Sequence, residues 1–146
     1  MHNLKILSAL LMGIVVVAST ATARDERMHF PVKDALETAD AKAQLDGSVK
    51  FFFGDQKYSK PVRTFGSVRT NKKTNFFNKS DKEACEWAFL SALVTFQERA
   101  KRDGANAIVN IKSIYRNGEF KSDTEYECGA GTFTGGVAFS GELVQL

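Results

Sequence analysis

The chain reads as an α+β domain in which an antiparallel sheet packs on one long helix, in the order β-β-α-β-β. Three observations predict this. Ser80-Asp81-Lys82-Glu83 is a capping box that opens a helix with a continuous apolar stripe. Ser48 to Gly54 places Val49, Phe51 and Phe53 on alternate positions, the period of a strand with a buried face. Ala105 to Arg116 alternates in the same way and runs into Asn117-Gly118, a strong hairpin signal.

In chain order, residues 1–23 come first. Lys5 supplies a positive start, Ile6 to Ala18 is apolar, and Ala21-Thr22-Ala23 is a small-residue cleavage site. An apolar run of that length rises only about 20 Å as a helix, short of the roughly 30 Å of a hydrocarbon core. The expectation is therefore a signal peptide cut after Ala23, with a periplasmic or secreted product and no stable membrane span. No cysteine stands at the cut to accept a lipid.

Residues 24–47 are charged and alanine-rich. Val32, Ala35, Leu36, Ala39 and Ala43 recur at helical spacing, which predicts a short helix. Residues 48–146 form the single α+β domain, a size that suits one modest core. Its second strand covers Val62 to Arg69, and Asn71 to Lys79 reads as a loop that holds Phe76 and Phe77.

The long helix runs to about Arg102, with Arg99, Lys101 and Arg102 suited to its C-terminus and Gly104 to the left-handed cap. Cys85, Ala88, Phe89, Ala92, Leu93, Phe96 and Ala100 share the face expected against the sheet. Trp87, Leu90 and Val94 form a second apolar stripe. It needs cover, either from the N-terminal segment or from a second copy in a homo-oligomer.

After Asn117-Gly118, a two-residue turn would set Arg116 opposite Glu119 and Tyr115 opposite Phe120. The glycine-rich stretch Gly129 to Gly136 reads as a flexible turn, and Val137 to Val144 as the closing strand.

Ala84 to Arg102, Gly104-Ala105-Asn106-Ala107-Ile108-Val109-Asn110-Ile111 and Val137-Ala138-Phe139-Ser140-Gly141-Glu142-Leu143-Val144 resemble the YbjQ-like family of small bacterial proteins described as heavy-metal-binding. The likeness covers the last 60 to 80 residues or so. It implies a β-α-β-β unit with an antiparallel sheet, and assembly as rings. The export signal, both cysteines and the segment from Asn117 to Gly136 depart from the family pattern. A more distant likeness is to exported, disulfide-bonded envelope stress-sensor domains. Some similar proteins carry the name excinuclease ATPase subunit, but an ATPase needs a lysine-bearing phosphate loop, and Gly129 to Gly136 has no lysine.

Catalytic and metal chemistry find little footing. The mature chain has one histidine, His29, expected in a frayed terminus, so a serine or cysteine nucleophile lacks an obvious base. Asp123, Glu125 and Glu127 fall on one strand face, the acids a hydrolase would use. The two thiols and His29 show no metal-ligand spacing, and no metal or other cofactor is expected.

Two cysteines in an exported chain predict a Cys85–Cys128 disulfide. Two courses of the intervening segment are open. If the Asn117-Gly118 hairpin zips fully, Cys128 falls opposite Ala107, about 20 Å from Cys85, too far to bond. If the hairpin frays and the strand after Gly136 pairs with Ala107 to Tyr115, Cys128 can reach the helix start.

Charge is nearly balanced overall, with 20 Lys plus Arg against 17 Asp plus Glu, but Gln56 to Lys82 holds eight basic residues and one acid. Within that window Lys57, Lys60, Arg63, Arg69, Lys72 and Lys73 are candidate anion-binding residues. The expected role is a non-enzymatic module that binds an anionic envelope component or a protein partner, in a compartment where nucleic acid is an improbable ligand. The alternatives are a ring-forming structural protein and, more weakly, a metal-binding protein or a hydrolase that uses the strand carboxylates.

Overall fold

A computed structural model describes residues 14–20 and 22–146. The expected start of the export signal, residues 1–13, lies outside the described residues, as does Ala21. The elements are β1 (Asp25–Pro31), α1 (Val32–Glu37), α2 (Ala39–Gln44), β2 (Lys50–Phe53), β3 (Arg63–Asn75), α3 (Asp81–Asp103), β4 (Ala107–Ser113), a 3₁₀ turn (Tyr115–Asn117), β5 (Glu125–Gly131) and β6 (Thr134–Gln145).

The fold is α+β, with a curled six-stranded sheet against α3. Its organising strand is β6. One edge of β6 pairs antiparallel with β3 over nearly its whole length, from Asn75↔Thr134 to Arg63↔Gln145. The other edge is shared, taking β5 at Gly135 and Gly136 and β4 from Phe139 to Val144. β1 then adds to β5, and β2 adds to β4 in parallel. The sheet is therefore mixed where an antiparallel one was expected. A parallel pair needs a long crossover, and here β3 and α3 lie between β2 and β4.

The long helix follows its sequence closely. The Ser80 hydroxyl accepts from the Glu83 N–H at 3.1 Å, and Gly104 closes the helix at φ +84°. Every residue of the expected Cys85-to-Ala100 stripe is buried. The stripe meets Phe53, Tyr126, Val137, Phe139 and Leu143 from the sheet. Phe89 lies at the centre of an aromatic cluster, with ring centroids 4.5 Å from Tyr126 and 5.8 Å from both Phe53 and Phe139. Pairs of this kind add about 0.5–1.5 kcal/mol each beyond the burial of their surface.

Residues 24–47 differ from the single helix expected of them. Asp25–Pro31 is a strand, because Met28 and Phe30 alternate onto the core beside Tyr126 and Cys128 while Arg27 and His29 face outward. The helical spacing that starts at Val32 is real but interrupted. Thr38 is extended and its hydroxyl caps the next segment at the Ala41 N–H, so two short helices form.

Two readings of turns are also corrected. β3 continues through Asn75, beyond the expected strand end at Arg69 and into the segment read as a loop. The glycines of Gly129 to Gly136 lie mainly inside β5 and β6, where a Cβ at Gly129 would strike the Tyr115 ring and one at Gly136 would strike the Lys72 carbonyl. They serve close approach of backbone and rings, and not flexibility.

The two-residue Asn117-Gly118 turn does not form. The hairpin is reduced to one bridge, Ser113↔Phe120, closed by the 3₁₀ turn, in which the Gly118 N–H donates to the Tyr115 carbonyl. The Ile114 N–H instead donates to the Ala138 carbonyl on β6. The frayed arrangement thus holds, and it brings Cys128 to 6.0 Å (Cα–Cα) from Cys85, where the two are bonded. Replacing both cysteines with serine should lower stability by up to about 4 kcal/mol, read by urea unfolding. Hydrogen exchange should rise more in β5 than in α3.

Candidate anion-binding trough

The sheet face away from α3 carries the open, polar part of the molecule. At one end it is closed by a small apolar cluster of Phe52, Tyr58, Ala107, Val109, Val144 and Leu146. Beyond that cluster lies a trough of about 480 Å³, within the size range of small-ligand sites. β3 contributes Ser67 and Arg69, β6 contributes Ser140 and Glu142, and β4 contributes Asn110 and Lys112, with Ile114 just past its end. Glu119 and Lys121 rise from the loop that follows the 3₁₀ turn.

A bulge in β4 helps to shape this floor. Register shifts between Val109 and Lys112, and Asn110 takes φ +54°, a conformation Asn tolerates better than most residues. The Asn110 amide donates to Glu142 at 3.2 Å and to the Tyr58 hydroxyl at 3.3 Å. Lys112 donates to Glu119 at 2.9 Å. Lys121 is paired with Asp55 at 2.6 Å, and that carboxylate holds its ammonium above the ordinary range. Arg69 has no acidic partner among the described residues. It is also shared with an adjoining depression of about 360 Å³, lined by Asn71, Ile114, Arg116 and Ala138 among others.

Of the six basic residues singled out from sequence, Arg69 alone lines the trough. Lys57 and Lys60 are exposed in the loop between β2 and β3. Arg63 lies over the Phe65 ring at 4.8 Å. Lys72 is half-buried and Lys73 exposed, near the far end of β3. Lys112, Lys121, Asn110 and Ser140 were not singled out. The outward alternation of Asn110 and Lys112 along β4 is a signal that could have found two of them.

A second polar cluster sits on the same face, over β1 and β5. The Glu127 side chain is 7% exposed and receives Arg27 Nη1 and His29 Nε2, each at 3.3 Å. The His29 ring stacks on Phe120 at 3.9 Å between centroids, so this residue belongs to the sheet and not to a frayed end. The Glu127 N–H donates to the Ser113 hydroxyl at 3.0 Å. The three acids considered for catalysis do not converge. Asp123 accepts from the Asp55 N–H at 2.6 Å, Glu125 is exposed, and Glu127 alone meets basic side chains. No group of three or more potential metal ligands occurs among the described residues.

In the second apolar stripe, Leu90 is buried, Val94 half-buried and Trp87 41% exposed. A shallow cavity of about 190 Å³ beside Trp87 and Leu90 is walled by Thr38 and Asp40, so the N-terminal segment supplies part of the cover. Under α3, the Tyr126 hydroxyl is buried with no hydrogen-bond partner among the described residues, and burial pushes its phenol well above the ordinary range. No helix among the described residues is long and apolar enough to cross a membrane. Comparison with family models, curated proteins and solved structures returns no match.

Glu127, on β5, meets Arg27 and His29 of β1, whose side chains remain partly exposed. Glu127→Ala should therefore cost about 1–2 kcal/mol in urea unfolding, and Glu127→Gln, which keeps the shape, should cost less.

Proposed function

We propose that the chain is an exported, non-enzymatic module of the cell envelope that binds a small anionic ligand in the trough. The observation that carries this reading is Arg69. Its guanidinium stands in a ligand-sized concavity without an acidic partner among the described residues, while Lys112 and Lys121 are neutralised by Glu119 and Asp55. A guanidinium presents a planar fork of donors suited to carboxylate or phosphate oxygens. Ser67 and Ser140 add neutral donors around it, while the Asn110 amide is taken up by Glu142 and Tyr58.

Export is part of the same proposal. A Cys85–Cys128 disulfide fits an oxidising compartment, and residues 1–23 have the three regions of a cleavable leader. The resemblance to the YbjQ-like family supports a small α+β module here and supplies no ligand. A role as an accessory to envelope stress response rests on the more distant likeness.

Inorganic phosphate and citrate are suitable probes, followed by amide chemical shifts of the folded protein. Binding should move the resonances of Arg69, Lys112 and Ser140 together, and Arg69→Ala should weaken it at least about tenfold, the loss of one charge-assisted bidentate contact. Shifts spread over the whole basic surface, unchanged by Arg69→Ala, would contradict the assignment. For export, mass spectrometry of protein from its native host should find a product that begins at Arg24. A mature product that keeps residues 1–23 would remove the leader from the argument.

A further inference from the structure

We propose that the end of the domain built from residues 75–79 and 132–133 is a docking tip for an anionic lipid bilayer surface. Phe77 is 62% exposed and Phe133 66% exposed. They come from two different loops that are tied together, since the Phe76 N–H donates to the Phe133 carbonyl at 2.7 Å. Neighbouring Phe76 is buried in the core, so its exposed companion is not a failure to collapse. The Asn75 side chain accepts from the Phe77 N–H at 2.6 Å and holds that residue's backbone in its outward course. The tip is braced from beneath by the disulfide, because Cys128 lies in β5, which ends at Gly131.

The charge around the two rings suits phosphate-bearing headgroups. Lys73 is exposed, two residues from the end of β3, Lys72 precedes it, and the Lys79 ammonium reaches the Asn75 carbonyl at 3.0 Å. Of the acids near this end, Asp81 and Glu26 are engaged by Arg24, at 2.6 and 3.0 Å, and Asp25 by Arg116, while Glu83 is exposed in the first turn of α3. Exposed aromatics that enter the headgroup boundary, flanked by lysines drawn to an anionic leaflet, are the combination that peripheral binding requires.

A third observation fixes the orientation. The chain enters the domain at this same end, where the Arg24 N–H donates to the Thr132 hydroxyl at 3.4 Å and Asp25 pairs with Gly131. Just upstream, Ile14, Val15, Val16 and Val17 are exposed, within the apolar run Ile6 to Ala18. Before cleavage after Ala23, insertion of that run in a bilayer would tether the domain at the end that carries Phe77 and Phe133. The tip is separate from the trough. Thr134 and Ser140 lie six residues apart on β6, about 20 Å along an extended strand.

The test uses the full chain with a reporter at the tip. Phe77→Trp in a Trp87→Phe background leaves a single tryptophan, and Phe133→Trp in the same background is the second reporter should the first perturb folding. With phosphatidylglycerol/phosphatidylcholine vesicles, tip emission should shift to the blue and be quenched by brominated acyl chains. Lys72→Ala, Lys73→Ala and Lys79→Ala together should raise the anionic lipid needed by about tenfold or more. If both reporters keep water-exposed emission while the chain sediments with vesicles, membrane contact is through the apolar run alone and the proposal is overturned. Equal insertion into pure phosphatidylcholine, insensitive to the lysine substitutions, overturns it as well.

Discussion

Strand β6 is the constraint from which the rest of the molecule follows. Backbone N–H and carbonyl groups buried in a sheet must find partners, and β6 finds them on both edges, with β3 along one side and β5 then β4 along the other. Once β6 occupies that edge of β4, the segment after Ser113 cannot fold back along β4 as a long hairpin. It leaves the sheet at Ile114, makes the 3₁₀ turn and returns as β5. That detour brings Cys128 beneath the first turns of α3 and raises the loop carrying Glu119 and Lys121 as a wall of the trough. A single competition for hydrogen-bonding edges thus sets the disulfide and the candidate site together.

The glycines near both ends of this detour are packing residues. At Gly135 and Gly136 the β3, β5 and β6 backbones approach so closely that a side chain would meet carbonyl oxygens, and at Gly129 the strand makes room for the Tyr115 ring. Tyr115 is flanked in turn by the Arg27 and Arg116 guanidiniums, at 5.8 and 5.4 Å from its centroid. The outer face is therefore layered over β5 and open over β3, β4 and β6. This division explains why Glu127 is buried and paired while Arg69 has no acidic partner among the described residues.

The basic window between Gln56 and Lys82 resolves into different physical situations. Arg69 faces the trough, Arg63 covers an aromatic ring, Lys57 and Lys60 stand in a loop, and Lys72, Lys73 and Lys79 gather near the tip with Phe77. Charge counted along a sequence does not distinguish these, because a strand sends successive side chains to opposite faces and its curl separates its two ends.

Local periodicity was enough to read α3. Its cap, its C-terminal glycine and its buried stripe depend on contacts within a few residues of one another, and each is where the sequence placed it. The strands read at Ser48 to Gly54 and Val137 to Val144 were legible for the same reason, and the one read at Ala105 to Arg116 was legible as far as Ser113, where the 3₁₀ turn takes over. What tertiary structure alone decided was pairing. Asn117-Gly118 has the local chemistry of a tight hairpin, yet β6 offered β4 a longer run of hydrogen bonds. Asp25–Pro31 carries too few apolar residues to declare a strand, and becomes one because Met28 and Phe30 find Tyr126 and Cys128 about a hundred residues away. Arg69 owes its place in the trough, and Glu127 its meeting with His29, to such pairings. Sequence patterns report the face a residue prefers, and only the assembled sheet determines which residues share that face.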